Sequence, residues 1–265
     1  MSATPDEVTP TAGILPAPPP SEPPPLPRRP WGFWATLGFA LLIAVGTVLA
    51  VVACLLPWQI ISSEFHLASE RIDVVVEQAT ALIAVPPALG LTFLFAWLRR
   101  KRYPLKAYLG LGMPSVSVFA FWLGVEMAVW LLTDIVTYLL GRDIVPPVMV
   151  KDYTKAFFFP AFPLLLIMIV LAYPLLEEFF FRGFLLEGFR HSFMGPVFAV
   201  LVTAGLWAIT HQQYDWYGIL TILAGGVVLG IARLTTGSIW VCFAMHATEN
   251  LVATIEAAVK VHLMS

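Results

Sequence analysis

Charged residues are scarce in this chain. Of its 265 residues, 12% are charged and 59% are hydrophobic, whereas a soluble domain has about 25% charged and 45–50% apolar residues. This composition excludes an ordinary soluble enzyme of the Rossmann or TIM-barrel class. The net charge of −2 provides no basic surface for a phosphate backbone, so we expect no nucleic-acid partner.

Cysteines are also few. Cys54 and Cys242 lie far apart, each within an apolar run. Two cysteines at this separation supply neither a disulfide framework nor a metal cluster. We interpret both as small buried hydrophobic side chains.

Long apolar segments, in contrast, are abundant and define the fold class. They are continuous over about 20 residues, the length that crosses a hydrocarbon core, and lack the alternation of barrel strands. The sequence predicts an all-α, polytopic transmembrane helix bundle in a plasma or inner membrane, surrounded by membrane lipid. About seven spans are expected, at 32–57, 79–98 (with a kink at Pro86-Pro87), 116–140, 157–190, 194–211, 218–234 and 238–258.

The chain divides into three parts. Residues 1–30 hold 11 of the 22 prolines and have little apolar surface to bury, which predicts a disordered proline-rich tail that acts as a linker or a partner-binding segment. Residues 31–150 contain supporting transmembrane helices. Residues 151–265 contain most of the ionisable groups inside spans and form the expected catalytic core.

Positive charges predict a cytoplasmic N-terminus. If the spans alternate, one side of the membrane receives most of the basic residues, whereas the loop 62–77 on the other side is acidic. The basic positions are Arg28, Arg29, Arg99, Arg100, Lys101, Arg102, Lys106, Arg190 and Arg233.

Ionisable residues inside spans are functional candidates because each costs at least about 2.5–3.5 kcal/mol at a helix centre. The first such cluster is Glu177-Glu178-Phe179-Phe180-Phe181-Arg182. Glu178 and Arg182 are four residues apart on one helical face and can pair. Glu177 points about 100° away from Glu178 and is available to another partner, although both acids could also be plain interfacial partners of arginines.

Two further motifs each contain a histidine. His211 ends the fifth predicted span one turn after Trp207, where a simple interfacial aromatic belt is the alternative interpretation. His246 and Asn250 are four residues apart in the seventh span and form either a small donor–acceptor site or a helix–helix hydrogen-bond pair. Glu249 lies beside His246 and could fix its tautomer.

These groups suit the activation of water. A carboxylate or imidazole can take a proton from water while a second histidine and an amide donate to an oxyanion. Glu177, His211 and His246 are also candidate ligands for one divalent, zinc-type metal, although no His-Glu-x-x-His motif is present. The sequence leaves open whether a metal or no cofactor is used.

The depths of the motifs conflict if every span is a straight helix. At about 1.5 Å per residue, His211 lies about 25 Å from the start of the fifth span and His246 about 12 Å from the start of the seventh. The groups can meet only if the fifth span begins outside the bilayer or the loop 212–217 dips inward.

The three motifs, in this order and spacing, resemble the CAAX-processing and bacteriocin-processing family of intramembrane endopeptidases, also called the Abi or type II CAAX protease family. Its pattern is Glu-Glu-x-x-x-Arg, Phe-x-x-x-His and His-x-x-x-Asn, read here at Glu177 to Arg182, Trp207 to His211 and His246 to Asn250. Trp207 replaces the usual Phe, a change expected to have little effect.

The resemblance implies an intramembrane peptidase acting on a membrane-associated peptide or a lipidated protein, including a prenylated CAAX-type substrate. By this analogy Glu177 activates water with help from His211, whereas His246 and Asn250 form the oxyanion site. Glu178 and Arg182 would support the helix.

Two other functions remain open at this point. One is a non-catalytic membrane scaffold or immunity factor on the same fold. The other is a small proton or metal transporter, in which Glu126 and Asp134 extend a relay of acids. The substrate, the partner of the tail and the oligomeric state cannot be read from the sequence.

Overall fold

A computed structural model describes residues 29–65, 70–157 and 162–264. Within these ranges the protein is all-α, with no strand and one bridge between Leu111 and Ser238. The helices are α1 (Phe33–Phe65), α2 (Glu70–Leu98), α3 (Leu105–Leu109), α4 (Val116–Leu139), α5 (Pro147–Phe157), α6 (Phe162–Arg190), α7 (Gly195–Ile209), α8 (Trp216–Thr236) and α9 (Ile239–Met264). Residues 1–28 of the predicted tail lie outside the described residues.

The membrane character of the bundle is confirmed. Within the part of the chain that the structure describes, four helices are long and apolar enough to cross a membrane by length and composition: Phe33–Ile61 within α1, α4, α6 and α8. Shorter apolar helices cover Leu82–Leu98 within α2 and the whole of α7. The seventh predicted span corresponds to α9, whose apolar sequence is interrupted by Glu249, Glu256 and Lys260.

The helix boundaries differ from the predictions at several points. The short helices α3 and α5 were not predicted. Helix α2 begins at Glu70, earlier than expected, and continues as helix through Pro86 and Pro87. Helix α7 ends at Ile209, so that His211 lies in the turn that follows it.

Small residues let α7 and α8 approach closely. A Cβ atom on Gly230 would lie 2.8 Å from Val200 Cγ1, and one on Gly226 would lie 3.0 Å from Ala204 Cβ. Close packing of this kind holds helices together in a membrane, because the hydrophobic effect does not drive helices to associate in lipid. The core between α6, α7, α8 and α9 includes Trp207 and the fully buried Cys242, as predicted for that cysteine.

A polar cluster around Glu187 joins the helices at one end of the bundle. Glu187 is 1% exposed and accepts hydrogen bonds from Arg190 at 2.8 Å, the Tyr103 hydroxyl at 2.6 Å and Arg233 at 3.4 Å. Burial and the Glu187 carboxylate raise the pKa of Tyr103 to about 12, which keeps this hydroxyl a donor. Arg190 and Arg233 thus lie at the same end, and the orientation of that end in the membrane stays a prediction.

The start of α9 is recessed into the bundle. Ile239 is fully buried and donates its backbone N–H to the Gly110 carbonyl at 2.9 Å, so the segment that follows α3 covers this helix end. Because α9 begins inside the fold, His246 lies deeper than its distance from the helix start indicates.

Candidate active site

Helix α6, which carries the two adjacent glutamates, is not α-helical throughout. It contains two π-helical segments, Met168–Ala172 and Glu178–Leu185. Segments of this kind insert an extra residue per turn and are frequent at functional sites. They change which side chains of α6 face the neighbouring helices.

The first π segment releases a backbone carbonyl toward α9. The Tyr173 N–H bonds to the Met168 carbonyl, and the next residue, Pro174, has no N–H to donate. The Ile169 carbonyl instead accepts a hydrogen bond from Asn250 Nδ2 at 2.8 Å. This bond fixes the Asn250 amide and leaves its second Nδ2 hydrogen for another acceptor.

The second π segment begins with Glu178, which is fully buried and accepts two hydrogen bonds. Its Oε1 lies 2.7 Å from Arg182 Nη1 and 2.9 Å from His246 Nδ1. The predicted Glu178–Arg182 pair is thereby confirmed. The Glu178 carboxylate accepts the hydrogen bond that fixes the His246 tautomer. The prediction that Glu249 takes this role is therefore wrong.

The contact with Glu178 indicates which ring nitrogen of His246 is protonated. Because a carboxylate only accepts, Nδ1 of His246 carries a hydrogen. When the ring is doubly protonated, its Nε2–H can donate to a developing negative charge. His246 is 3% exposed.

Glu177 contacts the second motif directly. Its Oε2 accepts a hydrogen bond from the indole Nε1 of Trp207. The Arg182 guanidinium lies 4.3 Å from the centre of the same indole ring, a cation–π arrangement. Trp207 is therefore contacted by both Glu177 and Arg182 of the first motif.

Both histidines contact the ring of Trp207. The ring centroid of Trp207 lies 5.2 Å from that of His211 and 5.1 Å from that of His246. His211 Nδ1 lies 3.0 Å from the Trp207 carbonyl oxygen, which can only accept, so Nδ1 is the protonated nitrogen of the neutral ring. Nε2 of His211 then carries the lone pair and can act as a base.

All four predicted catalytic residues line one cavity of about 600 Å³. They are Glu177, His211, His246 and Asn250, and Trp207 lines the cavity beside them. Tyr214 of the loop after α7 lines it too, and burial raises the pKa of Tyr214 to about 12, which keeps its hydroxyl neutral. The loop after α7 therefore lines the same cavity as His246, which brings the three motifs together.

The predicted supporting residues lie behind this cavity. Glu178 and Arg182 do not line it and are fully buried. Arg182 Nη2 also donates to the Gly226 carbonyl of α8 at 3.4 Å. Glu178 contacts the cavity-lining His246, and Arg182 contacts the cavity-lining Trp207.

Sequence reasoning missed the partners of the acids on α4. The carboxyl groups of Glu126 and Glu249 lie close to each other, and so do those of Asp134 and Glu256. Glu126 is 2% exposed. The acids were visible in the sequence as charges inside spans, but their pairing depends on how α4 packs against α9.

The proposed metal ligands do not form a common site. Trp207, an N–H donor, contacts both Glu177 and His211, and Nδ1 of His246 is bonded to Glu178. Among the described residues, no group of three or more His, Cys, Asp or Glu side chains is arranged to hold a metal ion. We therefore derive no step through a metal.

Comparison with known proteins finds a family match for the segment that carries the motifs. Residues 159–252 match the model of the Rce1-like family, described as type II CAAX prenyl endopeptidase Rce1-like. This segment contains all three motifs and is similar to the family that the sequence resembles.

A curated relative matches part of the chain. The uncharacterized protein YyaK of Bacillus subtilis (strain 168) is 35% identical over 82 residues, which cover 28% of this chain and 27% of YyaK. The match therefore spans little more than a quarter of that relative's length. No solved structure matches the chain.

Proposed function

We propose that this protein is an intramembrane endopeptidase that hydrolyses a peptide bond of a membrane-associated peptide or lipidated protein, including a prenylated CAAX-type substrate. One observation carries the proposal. Glu177, His211, His246 and Asn250 come from three separate parts of the sequence and line the same cavity. The family match over residues 159–252 supports the same reaction class.

Glu177 and His211 activate the water in this proposal. The Trp207 N–H orients one oxygen of Glu177, and the second oxygen accepts a proton from a water in the cavity. Nε2 of His211 is a second base at the same cavity. After attack, the proton passes to the leaving amine, as general acid–base catalysis requires.

His246 and Asn250 stabilise the oxyanion. The Nε2–H of His246 and the remaining amide hydrogen of Asn250 are donors fixed by Glu178 and the Ile169 carbonyl, respectively. Donors fixed before the reaction need no reorganisation when charge develops, and each contributes about 10²–10³ in rate.

The test is peptide cleavage by purified protein in detergent. Prenylated and plain peptides are incubated with wild type and with Glu177→Gln, and products are identified by mass spectrometry. We expect Glu177→Gln to lose about 10²–10⁴ in rate, because a general base is removed. A parallel incubation with a strong chelator tests whether cleavage depends on a metal.

A matched control distinguishes chemistry from folding. Asp143→Asn makes the same acid-to-amide change at an exposed residue that does not line the catalytic cavity, and its cleavage rate should equal that of wild type. Full activity of folded Glu177→Gln contradicts the assignment. Cellular function that survives loss of Glu177 and His246 together would favour the scaffold alternative.

A further inference from the structure

Basic side chains are concentrated at one end of the bundle, away from the catalytic cavity. Arg99 Nε donates to the Arg29 carbonyl at 3.2 Å, which joins the end of α2 to the segment before α1. The Tyr103 hydroxyl, a few residues later, is bonded to Glu187, which places both segments at the Glu187 end. We define the basic surface by six residues of this end, none of which lines the catalytic cavity: Arg29, Arg99, Arg100, Lys101, Arg102 and Lys106.

The basic surface has no acidic partner within the described parts of the chain. No ion pair there joins any of its six side chains to a carboxylate. The sequence contains no Asp or Glu at 29–63 or at 78–125. Glu187 is buried and already accepts bonds from Tyr103, Arg190 and Arg233. The surface therefore carries six positive charges that require a counter-charge from outside the protein.

Tryptophan rings hold two of these arginines. Arg99 Cζ lies 4.8 Å from the centre of the Trp31 ring, and Arg100 Cζ lies 3.3 Å from that of Trp97. The Trp31 indole is itself fixed, since its Nε1 donates to a backbone carbonyl of α2 at 2.8 Å. Tryptophan beside arginine is typical of the membrane–water interface, where the ring lies at the level of the headgroups.

The two arginines keep donors for a ligand. Arg99 uses Nε for the Arg29 carbonyl, and Arg100 uses Nη1 for the Trp97 carbonyl at 3.2 Å. The other two nitrogens of each guanidinium form no hydrogen bond with the described residues and retain their N–H groups. A planar guanidinium of this kind matches the oxygens of a phosphate.

An exposed apolar face continues from this end along α1. Trp34, in the first turn of α1, is exposed, and four exposed aliphatic residues follow it at 7, 11, 14 and 18 positions, which is one face of a helix. They are Leu41, Val45, Val48 and Val52. A ligand that complements both surfaces has an anionic head and acyl chains. Free phosphate complements only the charge.

We propose that the basic surface binds the headgroup of an anionic phospholipid. Arg99 and Arg100 bind the phosphate, and the acyl chains lie on the apolar face of α1. The remaining cations attract negatively charged headgroups to this end, as clusters of four to eight Lys and Arg beside a membrane span do. The inference goes beyond the proposed peptidase and does not depend on its chemistry.

Competition between two lipids tests this inference. The full-length protein in mild nonionic detergent is mixed with equal amounts of phosphatidylglycerol and phosphatidylcholine that have the same acyl chains. Native mass spectrometry then measures how much of each lipid is bound. We expect phosphatidylglycerol to bind at least about tenfold more tightly. This preference should shrink as the ionic strength rises, because salt screens exposed charges.

Variants of the basic surface locate the site. Arg99→Gln/Arg100→Gln should lower the preference toward equal binding of the two lipids. Lys101→Gln/Arg102→Gln/Lys106→Gln should lower it as well, since fewer cations attract the headgroup. The triple variant changes only exposed side chains, so the test remains valid if the double variant does not fold.

A matched control removes two positive charges elsewhere. Arg142 and Lys260 pair with Asp215 and Asp143, and Lys260 lies about 30 Å along α9 from Ile239 at the basic end. The control variant Arg142→Gln/Lys260→Gln should therefore keep the preference of wild type. Glycerol phosphate, which has an anionic phosphate but no acyl chains, should not displace phosphatidylglycerol at equal concentration.

Several outcomes would overturn the inference. Equal binding of the two lipids by wild type would do so, as would a preference that no folded variant of the basic surface lowers. An equal loss in the control variant would assign the preference to total charge and not to this surface. Displacement by glycerol phosphate would identify a soluble phosphate as the ligand. None of these measurements uses cleavage, so the peptidase proposal is tested separately.

Discussion

Trp207 of α7 donates its indole N–H to the carboxylate of Glu177 on α6. Trp207, the aromatic residue of the second motif, is therefore hydrogen-bonded to Glu177, the first acid of the first motif. The family pattern has Phe at this position, and Phe has no donor. The expectation that Trp207 acts only through bulk and aromaticity overlooked this polar contact.

Replacement of Trp207 by Phe tests this contact. We expect kcat to fall about tenfold with little change in KM, because a hydrogen bond to a charged group is worth about 1.5–3 kcal/mol and here it orients the base. Steady-state cleavage kinetics provide the measurement. Trp240→Phe is the control, since Trp240 packs in a separate cluster. An unchanged kcat for Trp207→Phe would show that the indole N–H is dispensable.

Glu178→Gln should destabilise the protein and inactivate it. The variant leaves the fully buried Arg182 without its carboxylate partner, and loss of one partner from a buried pair costs about 3–5 kcal/mol. Thermal unfolding in detergent measures this loss. The double variant Glu178→Gln/Arg182→Met should recover much of the stability but not the activity, since His246 still lacks the carboxylate at Nδ1. Recovery of both would exclude a role for Glu178 in positioning His246.

Gly226→Ala should disturb the site through packing alone. The added Cβ would lie 3.0 Å from Trp207 Cε3 and 3.0 Å from Ala204 Cβ, so α8 must move away from α7 at a cost of about 1–3 kcal/mol. Unfolding temperature and cleavage rate should both fall. Gly205→Ala is the matched control, because nothing lies within 4 Å of a Cβ there. Equal stability of the two variants would contradict the close contact.

Asp215 should stabilise the fold in a pH-dependent manner. It accepts the Gly218 N–H at the start of α8 and pairs with Arg142 at 2.6 Å. These contacts, the Gly218 N–H first, lower the pKa of Asp215 below its ordinary value of 3.8. The stabilisation is therefore present above pH 3.8 and is lost as the pH falls through the lower pKa of the folded protein.

The measurement is the unfolding temperature of wild type and Asp215→Asn as a function of pH. Wild type should be more stable at neutral pH, and the difference should shrink in acid. Arg142→Gln should reduce this pH dependence, because it removes one cause of the lowered pKa. A difference that is the same at neutral and acidic pH would contradict the ionic contribution.

The sequence was sufficient to predict the class of fold and to select four residues that line one cavity. Apolar runs indicate which segments can cross a membrane. The spacing of four residues between Glu178 and Arg182 indicates a pair on one face of a helix. Contacts between helices are different, because they depend on how the helices rotate against each other. The bonds of Trp207 to Glu177 and of His246 to Glu178 belong to this second kind.

Backbone irregularity was also invisible in the sequence. No periodic signal marks the π segments of α6, although Pro174 is a local cause of one of them. Because Pro174 has no N–H, the Ile169 carbonyl is available to accept a hydrogen bond from Asn250. This contact can be predicted only once the position of the helix in the fold is known. The pairing of Glu126 with Glu249 was likewise hidden, since α4 and α9 are remote in the chain.

The π-helical segment Glu178–Leu185 has a consequence for how such sequences can change over evolution. Deletion of one residue within it would rotate every later side chain of α6 by about 100°, which would turn Glu187 away from Arg233 and Tyr103. Exchange of an apolar side chain in the same segment leaves the helical phase intact. Selection should therefore tolerate replacements in this stretch more readily than insertions or deletions, so its length is expected to vary less among relatives than its composition.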